Sequence, residues 1–210
     1  MIKLAYLNVE NLDLEKSYKM LPQKRKDKVD FYRFDKDKKL SAGAYLLLKK
    51  LLAEIGIDNF EIKLGKYGKA YISNRKNIYF NMSHSRKFVA CAISDKEVGI
   101  DIEYNDPTID LNIARNYFYN QEYESIMNAK NPSDEFFRYW VLKESYMKYT
   151  GLGFNLDLDN FEIILKDKIT LKNDKNNIKF NLFDLKEYKL AIASSYNVDE
   201  CFEYEISEIY

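Results

Sequence analysis

Val98-Gly99-Ile100-Asp101-Ile102-Glu103 alternates apolar and other residues with a period of two, the mark of a strand with one buried face. Val98, Ile100 and Ile102 point to one side, and Gly99, Asp101 and Glu103 to the other. Two carboxylates therefore stand one pleat apart, where they repel unless a positive group lies between them. A hard cation such as Mg²⁺, which takes oxygen ligands, would relieve that repulsion. An edge strand with a solvated acidic face has the same pattern, so this stretch becomes informative only alongside the rest of the chain.

The chain has 210 residues, 46% hydrophobic and 31% charged, enough for a folded core of one large or two small domains. Lys+Arg and Asp+Glu both number 33, so no global basic field points to nucleic acid. Cys91 and Cys201 lie far apart without metal-ligand spacing and read as reduced core thiols of a cytoplasmic protein. No apolar run reaches the ~18 residues of a membrane span, and no signal-peptide pattern opens the chain.

Ile2 to Val9 reads as a first strand and Leu12 to Leu21 as a short helix ended by Pro22. Pro22 to Lys39 holds eight basic and four acidic residues, a local excess of four positive charges that suits a polyanion or a solvated helix face. Asp35 to Ile55 is the clearest helix, with an apolar stripe from Leu40 to Ile55 and Gly56 at its C-terminal end. Strands are expected at Asn59 to Leu64, Tyr71-Ile72 and Ile78 to Met82, the last followed by Ser83-His84-Ser85. Phe88 to Ile93 and Val98 to Glu103 read as an antiparallel hairpin. Helices are expected at about Leu111 to Tyr119, Gln121 to Ala129 and Ser133 to Tyr149, the last with Ser133 as its N-cap.

Asp58-Asn59-Phe60-Glu61-Ile62 recurs as Asp159-Asn160-Phe161-Glu162-Ile163, an offset of 101. At that offset Val89 to Ala92 meets Leu190 to Ala193, and Asp101 and Glu103 meet Phe202 and Tyr204. The fold class implied is α+β: a pseudo-two-fold duplication of two similar halves, residues 1–105 and 106–210, with a site at their interface. Only the first half keeps the acidic pair, so a third ligand should come from the second. Trp140-Val141-Leu142-Lys143-Glu144-Ser145-Tyr146-Met147-Lys148 supplies one. At helical spacing Glu144 falls on a stripe with Phe136, Phe137, Trp140, Val141, Met147 and Lys148, where a carboxylate is costly unless paired or metal-bound.

The acidic strand together with Trp140-x-x-Lys143-Glu144-x-x-x-Lys148 resembles the 4′-phosphopantetheinyl transferases, of the surfactin-synthetase-activating type. Pro22 to Gly43, Tyr67-Gly68-Lys69 and Phe80-Asn81-Met82-Ser83-His84-Ser85 fall in the family's order. The resemblance implies transfer of the phosphopantetheine arm of coenzyme A to a serine of an apo acyl or peptidyl carrier protein, releasing adenosine 3′,5′-bisphosphate. Carried over by position, it implies Mg²⁺ on Asp101, Glu103 and Glu144, with Glu144 also the general base and Lys148 on the pyrophosphate. Lys24, Lys39 and His84 would grip the 3′-phosphate, Ser83 would lie near the phosphates and Lys69 beside the adenine. Asn81 would hold its loop, Trp140 would pack, and Lys143 would support the site or touch substrate. A monomeric pseudo-dimer is implied, with no nucleic-acid or membrane partner.

Three positions depart from the family's pattern: Lys39 stands where Arg is frequent, Asp27 where a second Lys is frequent (Lys26 or Lys28 being the substitutes), and Val141 where a small or hydroxylated residue is usual. A Mg-dependent phosphodiester or pyrophosphate hydrolase is the alternative that the same three carboxylates and lysine allow. Ile109 to Tyr123 is the segment expected to dock the carrier.

Overall fold

Each half of the chain lays one 19-residue helix across a small sheet, and the two sheets then pack face to face. The sheet of the first half is mixed, its opening strand pairing in parallel with the last strand of the chain, and that of the second is antiparallel. The computed structural model describes residues 1–198 and 200–210. In order these are β1 (Ile2–Asn8), α1 (Leu14–Lys19), α2 (Gln23–Phe31), α3 (Asp35–Ala53), β2 (Ile62–Leu64), β3 (Ala70–Ile72), β4 (Tyr79–Ser85) and β5 (Phe88–Ser94). The series repeats as β6 (Val98–Tyr104), α4 (Asn112–Tyr117), α5 (Asn120–Asn128), α6 (Pro132–Thr150), β7 (Ile163–Leu165), β8 (Ile169–Leu171), β9 (Lys179–Leu185) and β10 (Tyr188–Ser194), with β11 (Phe202–Tyr204) after it. One sheet runs β11-β1-β5-β4 and the other β6-β10-β9, while β2-β3 and β7-β8 are separate hairpins.

The alternation along Val98 to Glu103 is realised, but its partner is not the one expected. β6 does not form a hairpin with β5; it pairs antiparallel with β10, Val98 opposite Ser194 and Ile102 opposite Leu190. β1 does the same with β5, Ile2 opposite Ser94. Ladder position therefore makes β6 the counterpart of β1, and the repeat begins before Val98. A division after residue 105 cuts β6 away from its own sheet. The equivalents of Asp101 and Glu103 are then Ala5 and Leu7, both sealed in the first core, rather than Phe202 and Tyr204.

The offset of 101 holds for the strands starting at Ile62 and Ile163, but β4 and β5 map onto β9 and β10 with a shift of 100. One residue matters because side-chain facing has a period of two. At a shift of 100, Ala90 and Ala92 match Leu190 and Ile192, and all four lie in the core between the sheets with Leu4, Val98, Ile100 and Ile102. The outward residues Cys91 and Ile93 pack under α3, and Ala191 and Ala193 under α6. The layers are thus α3, first sheet, second sheet, α6.

Gly99 fixes the last of these contacts. A Cβ there would come within 2.1 Å of Ser145 O and 2.2 Å of Tyr149 N, so α6 lies with its main chain directly on β6. The start of α6 differs in detail from expectation: Asn131, not Ser133, is the cap, its Oδ1 accepting from the Asp134 N–H at 3.3 Å, with Pro132 opening the helix. Gly151 ends it at φ +70°, its N–H donating to Met147 O.

Lys143 lies on the side of α6 away from β6 and does not reach the site. Its Nζ is 2.7 Å from Glu122 Oε2 and donates to Phe161 O at 2.8 Å, and both side chains are almost fully buried. Glu122 also accepts from the Ile163 and Tyr119 N–H groups, so the pair ties α6 to α5 and to the chain entering β7. Trp140 packs as expected, stacking on Phe136 and Phe118.

Removing one partner of a buried pair leaves an uncompensated charge, at a cost of about 3–5 kcal/mol. Lys143→Met is therefore expected to lose stability on that scale in chemical denaturation. A loss below about 1 kcal/mol, within the range of exposed pairs, would contradict the structural role.

Candidate active site

β4 and β6 are the neighbouring edges of the two sheets, and no main-chain ladder joins them. Side chains of β4 take its place. Asn81 Oδ1 accepts from the Ile100 N–H at 3.0 Å, and Ser85 Oγ accepts from the Tyr104 N–H at 3.1 Å. Asn81 thus holds a strand seam rather than a loop. Asp101 and Glu103 stand on this seam, facing α6 because Val98, Ile100 and Ile102 are buried between the sheets.

Ser83 Oγ donates to Asp101 Oδ1 at 2.7 Å, and Ser85 Oγ to Glu103 Oε2 at 2.7 Å. From α6, Lys148 Nζ reaches Asp101 Oδ1 at 2.6 Å and Ser83 Oγ at 3.0 Å. Glu144 sits one helical turn before Lys148, close enough to perturb both Lys148 and Glu103. Asp101, Lys148 and Ser83 are therefore bonded to one another, with Glu103 held beside them by Ser85 and Glu144 near enough to feel the Asp101 and Lys148 charges. All three carboxylates and Lys148 belong to the second repeat; the first contributes the hydroxyls of Ser83 and Ser85.

The electrostatics follow from burying like charges. Desolvation, then the Asp101 charge, pushes Glu103 up to about 7 from an ordinary 4.5. Glu144 is raised by the same two causes, against the opposing pull of Lys148. Burial acts to lower Lys148, but Asp101 and the two glutamates outweigh it and leave its pKa raised, so it stays an ammonium. Asp101 Oδ2 is buried with no hydrogen-bond partner.

Those donors fit a hard cation: three carboxylates, one with an orphaned oxygen and two raised by burial and then by the Asp101 charge, are an oxygen-rich set short of positive charge. Among the described residues no three acidic, histidine or cysteine side chains are drawn together as a formed metal centre. Lys148 alone offsets Asp101, and an ion would have to gather the glutamates around the free Oδ2.

The basic residues divide into places. His84 is an exposed residue of β4, but partial desolvation of its ring, then the Lys148 charge and that of Lys28 on α2, lower its pKa. Lys28 is itself lowered, by burial and then by Arg25, which lies over the Tyr45 ring. The structure therefore brings Lys28, and not Lys26, towards His84; Lys26 lies over the Tyr18 ring. Lys24 is exposed on α2. Lys69 donates to Glu97 Oε2 at 2.6 Å and Tyr149 O at 2.9 Å, in a groove of about 280 Å³ that it shares with Tyr67, Met82 and Lys148. Lys39 donates to Glu10 O at 2.6 Å and lines a different groove, of about 540 Å³, with Lys36, Arg86 and Tyr104.

Ser85, Arg25 and Lys28 are the contributors that residue-level reading passed over or left unassigned. Ser85 carried a usable signal: it repeats Ser83 at the same two-residue spacing that separates Asp101 from Glu103. Of the segment Ile109 to Tyr123, Ala114 and Phe118 are core, while Tyr117 is exposed.

Because the folded pKa of Glu103 exceeds its ordinary value, its protonated form favours the fold. That contribution is present below about 4.5 and is lost as pH rises through about 7. Without added divalent metal, thermal stability is expected to fall from pH 5 to 7.5 more steeply in the wild type than in Glu103→Gln. Parallel profiles would contradict the assignment.

Residues 97–193, from β6 to β10, match the family described as the 4′-phosphopantetheinyl transferase superfamily, and residues 9–96 match the one described as 4′-phosphopantetheinyl transferase, N-terminal. The boundary between the two matches falls where strand pairing begins the second repeat. A 4′-phosphopantetheinyl transferase of Bacillus subtilis is 35% identical over 185 residues, covering 83% of this chain and 81% of the relative. The transferase Sfp of Bacillus subtilis (strain 168) is 29% identical over 184 residues, covering 83% and 82%. An L-aminoadipate-semialdehyde dehydrogenase-phosphopantetheinyl transferase of Candida glabrata is 33% identical over 174 residues, covering 78% and 67%. A duplicated α+β body with its acidic seam inside the matched segment, and relatives spanning most of its length, place this chain in the 4′-phosphopantetheinyl transferase superfamily.

Proposed function

We propose that the seam between β4, β6 and α6 transfers the 4′-phosphopantetheine arm of coenzyme A to a serine hydroxyl of an acyl or peptidyl carrier protein. The observation that carries this reading is the buried Asp101, bridged to Lys148 with its second oxygen unpaired, beside two glutamates of raised pKa. Phosphoryl transfer needs positioning and charge stabilisation more than covalent help from the protein.

Asp101, Glu103 and Glu144 would hold Mg²⁺, which when bound would withdraw charge from the pyrophosphate oxygens. Glu144 is the candidate base for the serine proton, since burial and the Asp101 charge raise its affinity for a proton. Lys148, kept cationic by the carboxylates around it, would meet the pyrophosphate and the charge left on the departing nucleotide. Ser83, hydrogen-bonded to both Asp101 and Lys148, would hold that ammonium in place near the phosphates.

The nucleotide end of coenzyme A belongs to the first repeat in this reading. His84 would contact the 3′-phosphate with Lys24 beside it, and Lys28 answers for the charge that Asp27 forfeits. Lys39 would turn from Glu10 O to the same phosphate, keeping the charge of an arginine without its bidentate fork. Lys69, at the groove beside Lys148, would lie against the adenine. The chain would act alone as a pseudo-dimer in the cytoplasm. No helix of the described residues is long and apolar enough to cross a membrane.

The test is to mix the protein with coenzyme A, Mg²⁺ and an apo carrier protein and to weigh the carrier. A gain of one phosphopantetheine is expected, and Glu144→Gln should lower that rate by about 10²–10⁴-fold, the range for loss of a general base. Coenzyme A hydrolysis with no gain in carrier mass would overturn the reading. Lys39→Ala should weaken coenzyme A by about tenfold or more, the scale of one charge-assisted hydrogen bond, while dephospho-coenzyme A changes little. Equal losses for both would contradict the 3′-phosphate assignment.

A further inference from the structure

The two serine-to-carboxylate hydrogen bonds across the seam share one offset: Ser83 to Asp101 and Ser85 to Glu103 are both 18 residues apart. Two hydroxyls at i and i+2 on β4 face two carboxylates at i and i+2 on β6, in register, without a main-chain ladder. Each serine engages one oxygen of its carboxylate. Asp101 Oδ1 receives Ser83 and Lys148, leaving Oδ2 unpaired; Glu103 Oε2 receives Ser85.

Ser85 has no freedom in this. Its oxygen accepts from the Tyr104 N–H at 3.1 Å, and its single hydrogen is directed to Glu103 Oε2 at 2.7 Å. The backbone of β6 thus orients the hydroxyl that orients the carboxylate of the preceding residue. On the outer side, Arg86 lies over the Tyr104 ring at 3.4 Å and pairs with Asp106, which holds the end of β4 against the end of β6.

We propose that Ser85 is a positioning residue of the first repeat that aims Glu103, engaging Oε2 and leaving Oε1 as the oxygen that would serve a divalent ion. This rests on the reading of the seam as a metal-assisted transferase site. It adds that the metal site depends on both repeats although every carboxylate comes from one. Hydrogen-bond partners of metal ligands commonly change metal affinity by about 10–100-fold when removed.

The experiment measures Mn²⁺ affinity by water-proton relaxation with saturating coenzyme A, in wild type, Ser85→Ala and Ser85→Thr, with circular dichroism as the check on folding. Ser85→Ala is expected to weaken Mn²⁺ by about tenfold while coenzyme A KM changes less than about twofold, and Ser85→Thr, which keeps the hydroxyl, is expected to restore most of the loss. Unchanged Mn²⁺ affinity in a folded Ser85→Ala protein would overturn the proposal, as would equal defects in the alanine and threonine variants. Failure of the wild type to modify any carrier would overturn the transferase reading instead, since the Mn²⁺ titration reads Ser85 without a transfer step.

Discussion

The absence of a side chain at Gly99 is the constraint on which the site depends. Main chain meets main chain there, with Ser145 O and Tyr149 N occupying the space a Cβ would need. That approach lowers α6 onto β6, so that Lys148 reaches Asp101 and Glu144, one turn earlier, feels the Asp101 charge. A helix held off by a side chain at this position would carry Lys148 away from Asp101, which it now reaches at 2.6 Å. The counterpart of Gly99 in the first repeat is Lys3, and there the equivalent strand carries Ala5 and Leu7 into a sealed core. One half of the duplication therefore spends its helix-on-strand contact on packing, and the other uses it to assemble charge.

Assembling charge in this way is unfavourable on its own. Two glutamates are held above their ordinary pKa, and an aspartate oxygen is left without a partner. Such local cost is tolerated where surrounding structure over-determines it, and here the surroundings are the buried Lys143–Glu122 pair and three layers of apolar packing. Lys143 and Lys148 sit on one helix with opposite fates. Lys143 is locked to Glu122 inside the second core, whereas Lys148 remains about a third exposed at the seam, able to meet a ligand.

Much of this was legible in the residues. Period-two alternation placed Asp101 and Glu103 on one face, and helical spacing put Glu144 and Lys148 on another, because both patterns are local. The duplication was legible from Asp58 to Ile62 and its copy. Strand pairing was not: nothing local distinguishes β6 as a hairpin partner of β5 from β6 as a ladder partner of β10, 90 residues away. The shift of 100 rather than 101 was hidden for a related reason, since Val-Ala-Cys-Ala and Leu-Ala-Ile-Ala match in composition at the wrong parity. Lys143 was misread because a lysine is expected to seek solvent or substrate, and its partner Glu122 lies on a different helix. Ser85 was overlooked because its meaning appears only once β4 and β6 are seen edge to edge.

The account turns on whether the Gly99 contact sets the site, and the Gly99→Ala variant asks this with one carbon. Forcing that atom between two backbones should cost about 3 kcal/mol or more, which is a fall of about 6–12 °C in Tm for a chain of this size, together with loss of phosphopantetheine transfer in whatever protein remains folded. A Gly99→Ala protein that melts with the wild type and modifies the carrier at the wild-type rate would contradict it.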